Sequence, residues 1–92
     1  MLRKDGGGWR GELPELELEC MKVLWENGEL TVRAVRDHLA PRRPLAYTTV
    51  LTELDRLARK AVVARRKVGR DHYYHALYTQ AAARKLAVAR LL

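Results

Sequence analysis

Apolar residues recur at helical spacing along most of this chain, and only the stretch after residue 60 breaks that rhythm. Leu13, Leu16, Cys20 and Leu24 fall at intervals of 3, 4 and 4, with Met21 and Trp25 beside them, which predicts a first amphipathic helix. Pro14 suits its first turn, and Glu15, Glu17 and Glu19 complement its dipole. Asn27-Gly28 stops it with residues that tolerate a left-handed backbone. Thr31 is an N-cap for a short second helix, Val32 to Leu39, that buries Val32, Val35 and Leu39. Two prolines in Ala40-Pro41-Arg42-Arg43-Pro44 forbid its continuation.

A third helix over 46–60 separates into two stripes. Val50, Leu54 and Leu57 form the buried one, flanked by Tyr47, Leu51 and Ala58. The other carries Thr49, Thr52, Arg56 and Arg59, with Thr48 at the leading end. Short hydroxyls approach base edges or phosphates closely, and guanidinium groups reach the backbone or guanine, so this helix is a candidate reader of a DNA major groove. On periodicity alone, an ordinary surface helix with a solvated basic face fits as well. Beyond Lys60 the period shortens. Val62 to Lys67 and His72 to Leu77 read as strands joined by a Val68-Gly69-Arg70-Asp71 turn, where Gly69 supplies a positive φ. Arg65, Arg66, Lys67 and Arg70 make this hairpin basic. Thr79 then caps a last helix, Gln80 to Leu92, whose larger apolar residues Leu86, Leu91 and Leu92 call for a partner to cover them.

Two helices with a short connection, followed by a basic hairpin, predict a mainly α fold with a small β-hairpin: a winged helix-turn-helix DNA-binding domain. The expected organisation is a flexible, basic, Gly-rich arm over 1–11, a winged-helix domain over 12–78, and a C-terminal helix over 79–92 whose apolar residues call for a partner. The charge distribution agrees. Residues 1–11 carry net +2, residues 12–29 net −5 and residues 30–92 net +10, which together make the chain's +7. An acidic first helix beside a basic remainder favours a polyanionic partner. RNA and anionic membranes share that sign.

The residues speak against catalysis. The chain has no serine, and its one cysteine, Cys20, lies on an apolar helical face, which also excludes an internal disulfide and a cysteine-rich zinc site. His72 and His75 point to opposite faces of a strand and do not converge on a metal, and His38 helps offset a helix dipole. Glu15, Glu17 and Glu19 read as a solvated helix face. Gly6-Gly7-Gly8 precedes any strand or helix and is no phosphate cradle. No metal or other cofactor is expected. With no apolar run of about 20 residues and no apolar leader, the expected location is the cytoplasm.

Residues 12–80 resemble the penicillinase-repressor family of winged-helix regulators, which has copper-responsive relatives. Leu13-Pro14-Glu15-Leu16-Glu17 with Met21-Lys22-Val23-Leu24-Trp25 is similar to the family's first helix, although Pro14 replaces a usual Thr or Ser. Leu30-Thr31-Val32-Arg33 is similar to the start of its second. Leu45-Ala46-Tyr47-Thr48-Thr49-Val50, with Leu54, Arg56, Leu57 and Lys60, closely resembles its recognition helix, and Gly69-Arg70 with Tyr74 its wing.

The resemblance implies a transcriptional repressor that binds double-stranded operator DNA as a homodimer, paired through the C-terminal helix. It also implies a membrane sensor with a protease domain as a further partner. Thr48, Thr49, Thr52 and Arg56 are then the candidates for base readout. Thr31, Arg33, Arg42, Arg43, Tyr47, Arg59, Lys60, Arg65, Lys67 and Arg70 are the candidates for the DNA backbone.

Three departures stand out. Ala61 replaces a usual Gly after the recognition helix. The family's further C-terminal helices and its cleaved region fall beyond residue 92, so proteolytic regulation is not carried over. The cysteine cluster of the copper-responsive branch is absent. A winged-helix protein-docking module and a shape-selective RNA binder are the alternative readings.

Overall fold

The computed structural model describes residues 13–91, with side chains through residue 85. In chain order the elements are α1 (Glu15–Asn27), β1 (Leu30–Thr31), α2 (Val32–Leu39), α3 (Tyr47–Arg59), β2 (Val63–Val68), β3 (Asp71–Ala76) and α4 (Gln80–Leu91). The arm expected over 1–11 lies outside the described residues. So do the side chains of Leu86, Leu91 and Leu92, on which the apolar face of the last helix depends.

Local chemistry sets the helix ends. Gly28 closes α1 at φ 81°, with its N–H on the Leu24 carbonyl. The Thr31 hydroxyl accepts the Ala34 N–H at 3.2 Å, which starts α2 where the sequence predicts. The Thr79 hydroxyl accepts the Ala82 N–H at 3.0 Å and starts α4. α3 ends in a tighter device. The Val62 N–H bonds the Leu57 carbonyl at 3.1 Å and the Ala61 N–H bonds the Ala58 carbonyl at 3.0 Å, the paired bonds of a Schellman close. That close holds Ala61 at φ 61°, the left-handed region that glycine occupies without strain.

One apolar core unites the elements. Cys20, Met21 and Leu24 of α1 meet Val35 and Leu39 of α2 and Val50, Leu54 and Leu57 of α3, closed below by Val62, Val63 and Tyr74. All three large residues expected to bury α3 are fully inaccessible. Burial pushes the Cys20 thiol up to about 12, with Glu53, Glu19 and Glu17 adding to the rise. Trp25 pins α1 to the chain after the sheet, its indole N–H donating to the Tyr78 carbonyl at 2.8 Å.

The sheet has the order β1-β3-β2 and is antiparallel throughout. β2 and β3 pair from Val63↔Ala76 to Val68↔Asp71, so the loop is Gly69-Arg70 alone. Only Gly69 takes a positive φ (62°), as in a type II′ turn. The hairpin is therefore longer toward its tip than the four-residue turn expected from sequence. β1, which pairs Leu30 with Tyr74 and Thr31 with Tyr73, is an addition: two residues are too few to show a period.

Two stability measurements check this packing. Leu54→Ala is expected to cost about 2–5 kcal/mol of unfolding free energy, since it opens a cavity at a fully buried site. Ala61→Gly is expected to raise stability by roughly 0.5–1 kcal/mol, the relief of backbone strain less the added freedom of the unfolded chain. A melting temperature that falls on Ala61→Gly would mean the left-handed turn carries no strain. The thiol offers a third check: Cys20 should resist a soluble thiol reagent at neutral pH and react only as fast as the chain opens.

Candidate nucleic-acid interface

With Val50, Leu54 and Leu57 turned into the core, α3 presents its other side outward. Thr48, Thr52, Arg56 and Arg59 are exposed there and Thr49 is half-buried. The Thr52 hydroxyl donates to the Thr48 carbonyl one turn back at 2.9 Å, leaving its oxygen free to accept from a base amino group. Arg56 leans on Glu53, Nη1 to Oε2 at 3.2 Å, while its side chain stays more than half exposed. Glu53 itself is buried, which periodicity did not foretell.

Beside the N-terminus of α3 the chain folds a second patch together. Thr31 and Arg33 from the start of α2, Tyr47 from the start of α3, and Arg70 from the hairpin tip line one cleft, with Val32, Asp71 and His72. Four residues separated by up to 39 positions in sequence, all named as backbone candidates, are thereby neighbours. The start of α2 and two arginines, Arg33 and Arg70, border it. Such a cleft suits an anionic oxygen. His72 was not singled out for this surface. Its place follows from the hairpin register, which sets it opposite Lys67.

The cations named as backbone candidates, with Arg66, divide into two sets. Arg43 lies 3.5 Å from both Glu15 and Glu19. Lys60 meets Glu17 at 2.5 Å, Arg65 meets Asp55 at 3.4 Å, and Arg66 meets Glu29 at 2.6 Å. These are engaged within the protein. Arg33, Arg42, Arg59, Lys67 and Arg70 are exposed and form no ion pair among the described residues. These five lie at α2, the α2–α3 loop, the end of α3 and the hairpin tip; Lys22 of α1 and Arg84 and Lys85 of α4 are also exposed and form no ion pair among the described residues.

The acidic first helix needs a correction. Glu15, Glu17 and Glu19 read from sequence as a solvated face, yet Glu17 is only 3% exposed. α1 packs across α3, so Glu17 faces the Lys60 ammonium at the end of α3, and Glu19 faces Arg43 in the loop before it. Only Glu15 keeps a largely exposed side chain. On the outer face of the sheet, Arg66 donates to Glu29 through Nε and Nη2 and holds that carboxyl below the usual carboxylate range. His75 Nδ1 lies 3.3 Å from the same group. The two histidines of β3 do stand on opposite faces of the ladder, and no cluster of metal-ligating side chains occurs among the described residues. No described helix is long and apolar enough to cross a membrane.

Comparison with known proteins bears on this surface. A family described as Penicillinase repressor matches residues 13–92. The transcriptional regulator BlaI of Mycobacterium tuberculosis is 48% identical over 63 residues, covering 67% of this chain and 46% of that protein. The solution structure of the DNA-binding domain of the repressor BlaI superposes with a TM-score of 0.70 at 26% identity, covering 80% of this chain and 90% of that one. Monomeric Bacillus licheniformis BlaI, solved with the blaP half-operator, matches with a TM-score of 0.64 at 27% identity, over 77% of this chain and 87% of that one. The chain spans about half the length of the curated relatives it matches.

Lys60→Ala should lower stability by about 1–3 kcal/mol, because it leaves the Glu17 carboxylate buried without its partner. Glu17→Gln with Lys60→Ala together should recover part of that loss. Denaturant unfolding of the three variants distinguishes this from a solvated pair, for which all would match the parent.

Proposed function

The chain belongs to the penicillinase-repressor family, a family of transcriptional repressors and not of enzymes, and from that premise we propose that it represses transcription by reading a dyad-symmetric DNA operator. α3 lies in the major groove, with Thr48, Thr49, Thr52 and Arg56 at base edges. Thr31, Arg33, Arg42, Tyr47, Arg59, Lys67 and Arg70 take the phosphates on either side. Residues 12–78 are the reading module, and two copies pair through the helix that begins at Gln80. The cytoplasm, where the operator is, is the place of action.

One observation carries the reading. The exposed stripe of α3 combines short hydroxyls with arginine and is bordered by cations that the protein leaves unengaged. A solvated structural face gives no reason for Arg33, Arg42, Arg59, Lys67 and Arg70 around α3 and the hairpin tip to stay free while Arg43, Lys60, Arg65 and Arg66 are paired. That a relative of the same fold was solved with a half-operator supports duplex DNA as the partner. Arg43, Lys60 and Arg65 stay near the backbone in this reading, but their first duty is within the protein.

Binding to a preferred duplex and to random duplex, titrated across salt concentrations, tests the assignment. Thr49→Ala or Thr52→Ala should narrow the gap between the two duplexes while leaving the melting temperature nearly unchanged. Arg70→Ala should weaken both alike and flatten the salt dependence by about one unit of slope. Equal losses on both duplexes for the threonine variants would remove them from base readout.

A further inference from the structure

If α3 and the hairpin tip grip one duplex, the angle between them must be fixed, and the hydrogen bonds show where. Asp55 Oδ1, on α3, accepts the Tyr74 hydroxyl of β3 at 2.8 Å and lies 3.4 Å from Arg65 Nη1 of β2. Tyr74 and Arg65 are direct partners in the ladder. A single carboxylate on the candidate recognition helix therefore holds both strands of the hairpin at the same rung. The Tyr74 ring is fully buried, so this anchor is rigid on the hairpin side. Burial, with Asp55 as acceptor, also holds the phenol above its ordinary value, so the hydroxyl remains a donor. Glu29, which pairs with Arg66 and His75 of the hairpin, comes from the turn before β1 and ties the outer face to the sheet, not to α3.

The geometry points to Asp55 as a positioning residue for DNA binding: it sets the angle between α3 and the wing, and so places Lys67 and Arg70 on the phosphates. This rests on the DNA-binding reading above. Residues 63, 65 and 67 share one face of β2, so Lys67 extends along the face that Asp55 holds. From the Arg65 rung to Gly69 is about 13 Å of strand, so a 10° tilt at the rung moves the tip by roughly 2 Å. That displacement is enough to break a charge-assisted contact near 2.8 Å.

Simple electrostatics makes the opposite forecast, which gives the test its edge. An anion beside a polyanion repels it, so Asp55→Asn would tighten binding if the carboxylate were merely a nearby charge. If Asp55 positions the wing, Asp55→Asn weakens binding despite the favourable change of charge. Tyr74→Phe, which leaves every charge in place, weakens it too.

The experiment titrates the full chain against its preferred duplex across salt, with Asp55→Asn and Tyr74→Phe each made alone and in a Lys67→Ala/Arg70→Ala background. The single variants should lose about fivefold in affinity near 0.15 M salt for each phosphate contact released, and about 0.9 unit of salt slope per contact. The loss should vanish where the tip cations are already gone. Unchanged or tighter binding overturns the proposal, and so does an equal loss in both backgrounds, which would mean the variants act through α3 or through general stability. Amide relaxation of Gly69 in the free protein gives a readout without DNA: Asp55→Asn should loosen the tip, and an unchanged tip overturns the proposal. A parent chain that binds no duplex defeats the DNA reading itself, and that is seen before any variant is made.

Discussion

Three side chains fix the rotation of α3 about its own axis, and most of what this molecule presents to a partner follows from that rotation. Val50, Leu54 and Leu57 are wholly inaccessible, pressed against α1, α2 and the strand that follows. Turning the helix to expose any one of them would forfeit about 2–3 kcal/mol of apolar burial. With that face committed, the hydroxyls and guanidinium groups have one direction left, outward. The Schellman close at Ala61 then sends the chain into the sheet, and the left-handed residue there is a local strain that the buried residues on either side hold in place. On the proposed reading, specificity is thus a by-product of core packing: the face of α3 that would read DNA is the one the core cannot hide.

Charge performs a second sorting. The acidic residues of α1 and of the turn before β1 do not dilute a basic surface at random. Glu17 takes Lys60, Glu19 takes Arg43, Asp55 takes Arg65 and Glu29 takes Arg66, each bridging two elements. The exposed pairs among them contribute little to stability singly, unlike Lys60 on the buried Glu17 carboxylate. Their value lies in orientation, since each spends a cation on geometry and leaves its neighbour in sequence unspent. Arg65 and Arg66 are held while Lys67 and Arg70 are not, and Arg43 is held while Arg42 is not. Both kinds of cation count equally in the net charge, so the sum of +7 says less than its division.

Much of this was legible in the residues, and the limits have physical causes. The α2 boundaries and the Thr31 cap followed from a strong local signal, and so did the buried stripe of α3 and the hairpin with Gly69 in its turn. β1 did not, because two residues paired with the distant residues Tyr73 and Tyr74 leave no periodic trace. Glu17 was misjudged for a related reason. A carboxylate on a helix is solvated unless another element brings a cation over it, and Lys60 arrives only through tertiary packing. Asp55 and Glu29 were passed over as ordinary anions, since nothing in their immediate neighbours marks them as bridges. Ala61 stood out only against the glycine of similar proteins, and its φ of 61° gives that contrast its physical meaning. Of the candidate contacts, local reasoning found the α3 stripe and the basic tip. It could not tell the engaged cations from the free ones.

The most direct measurement is selection of bound sequences by this chain from a random duplex pool at near-physiological salt. A surface in which α3 reads base edges from two paired copies predicts recovery of a palindrome whose half-sites lie about one helical turn apart, roughly 34–36 Å centre to centre. A pool that emerges with no enriched sequence, although duplex is bound, would contradict it, for the outward face of α3 would then be a basic surface that reads nothing.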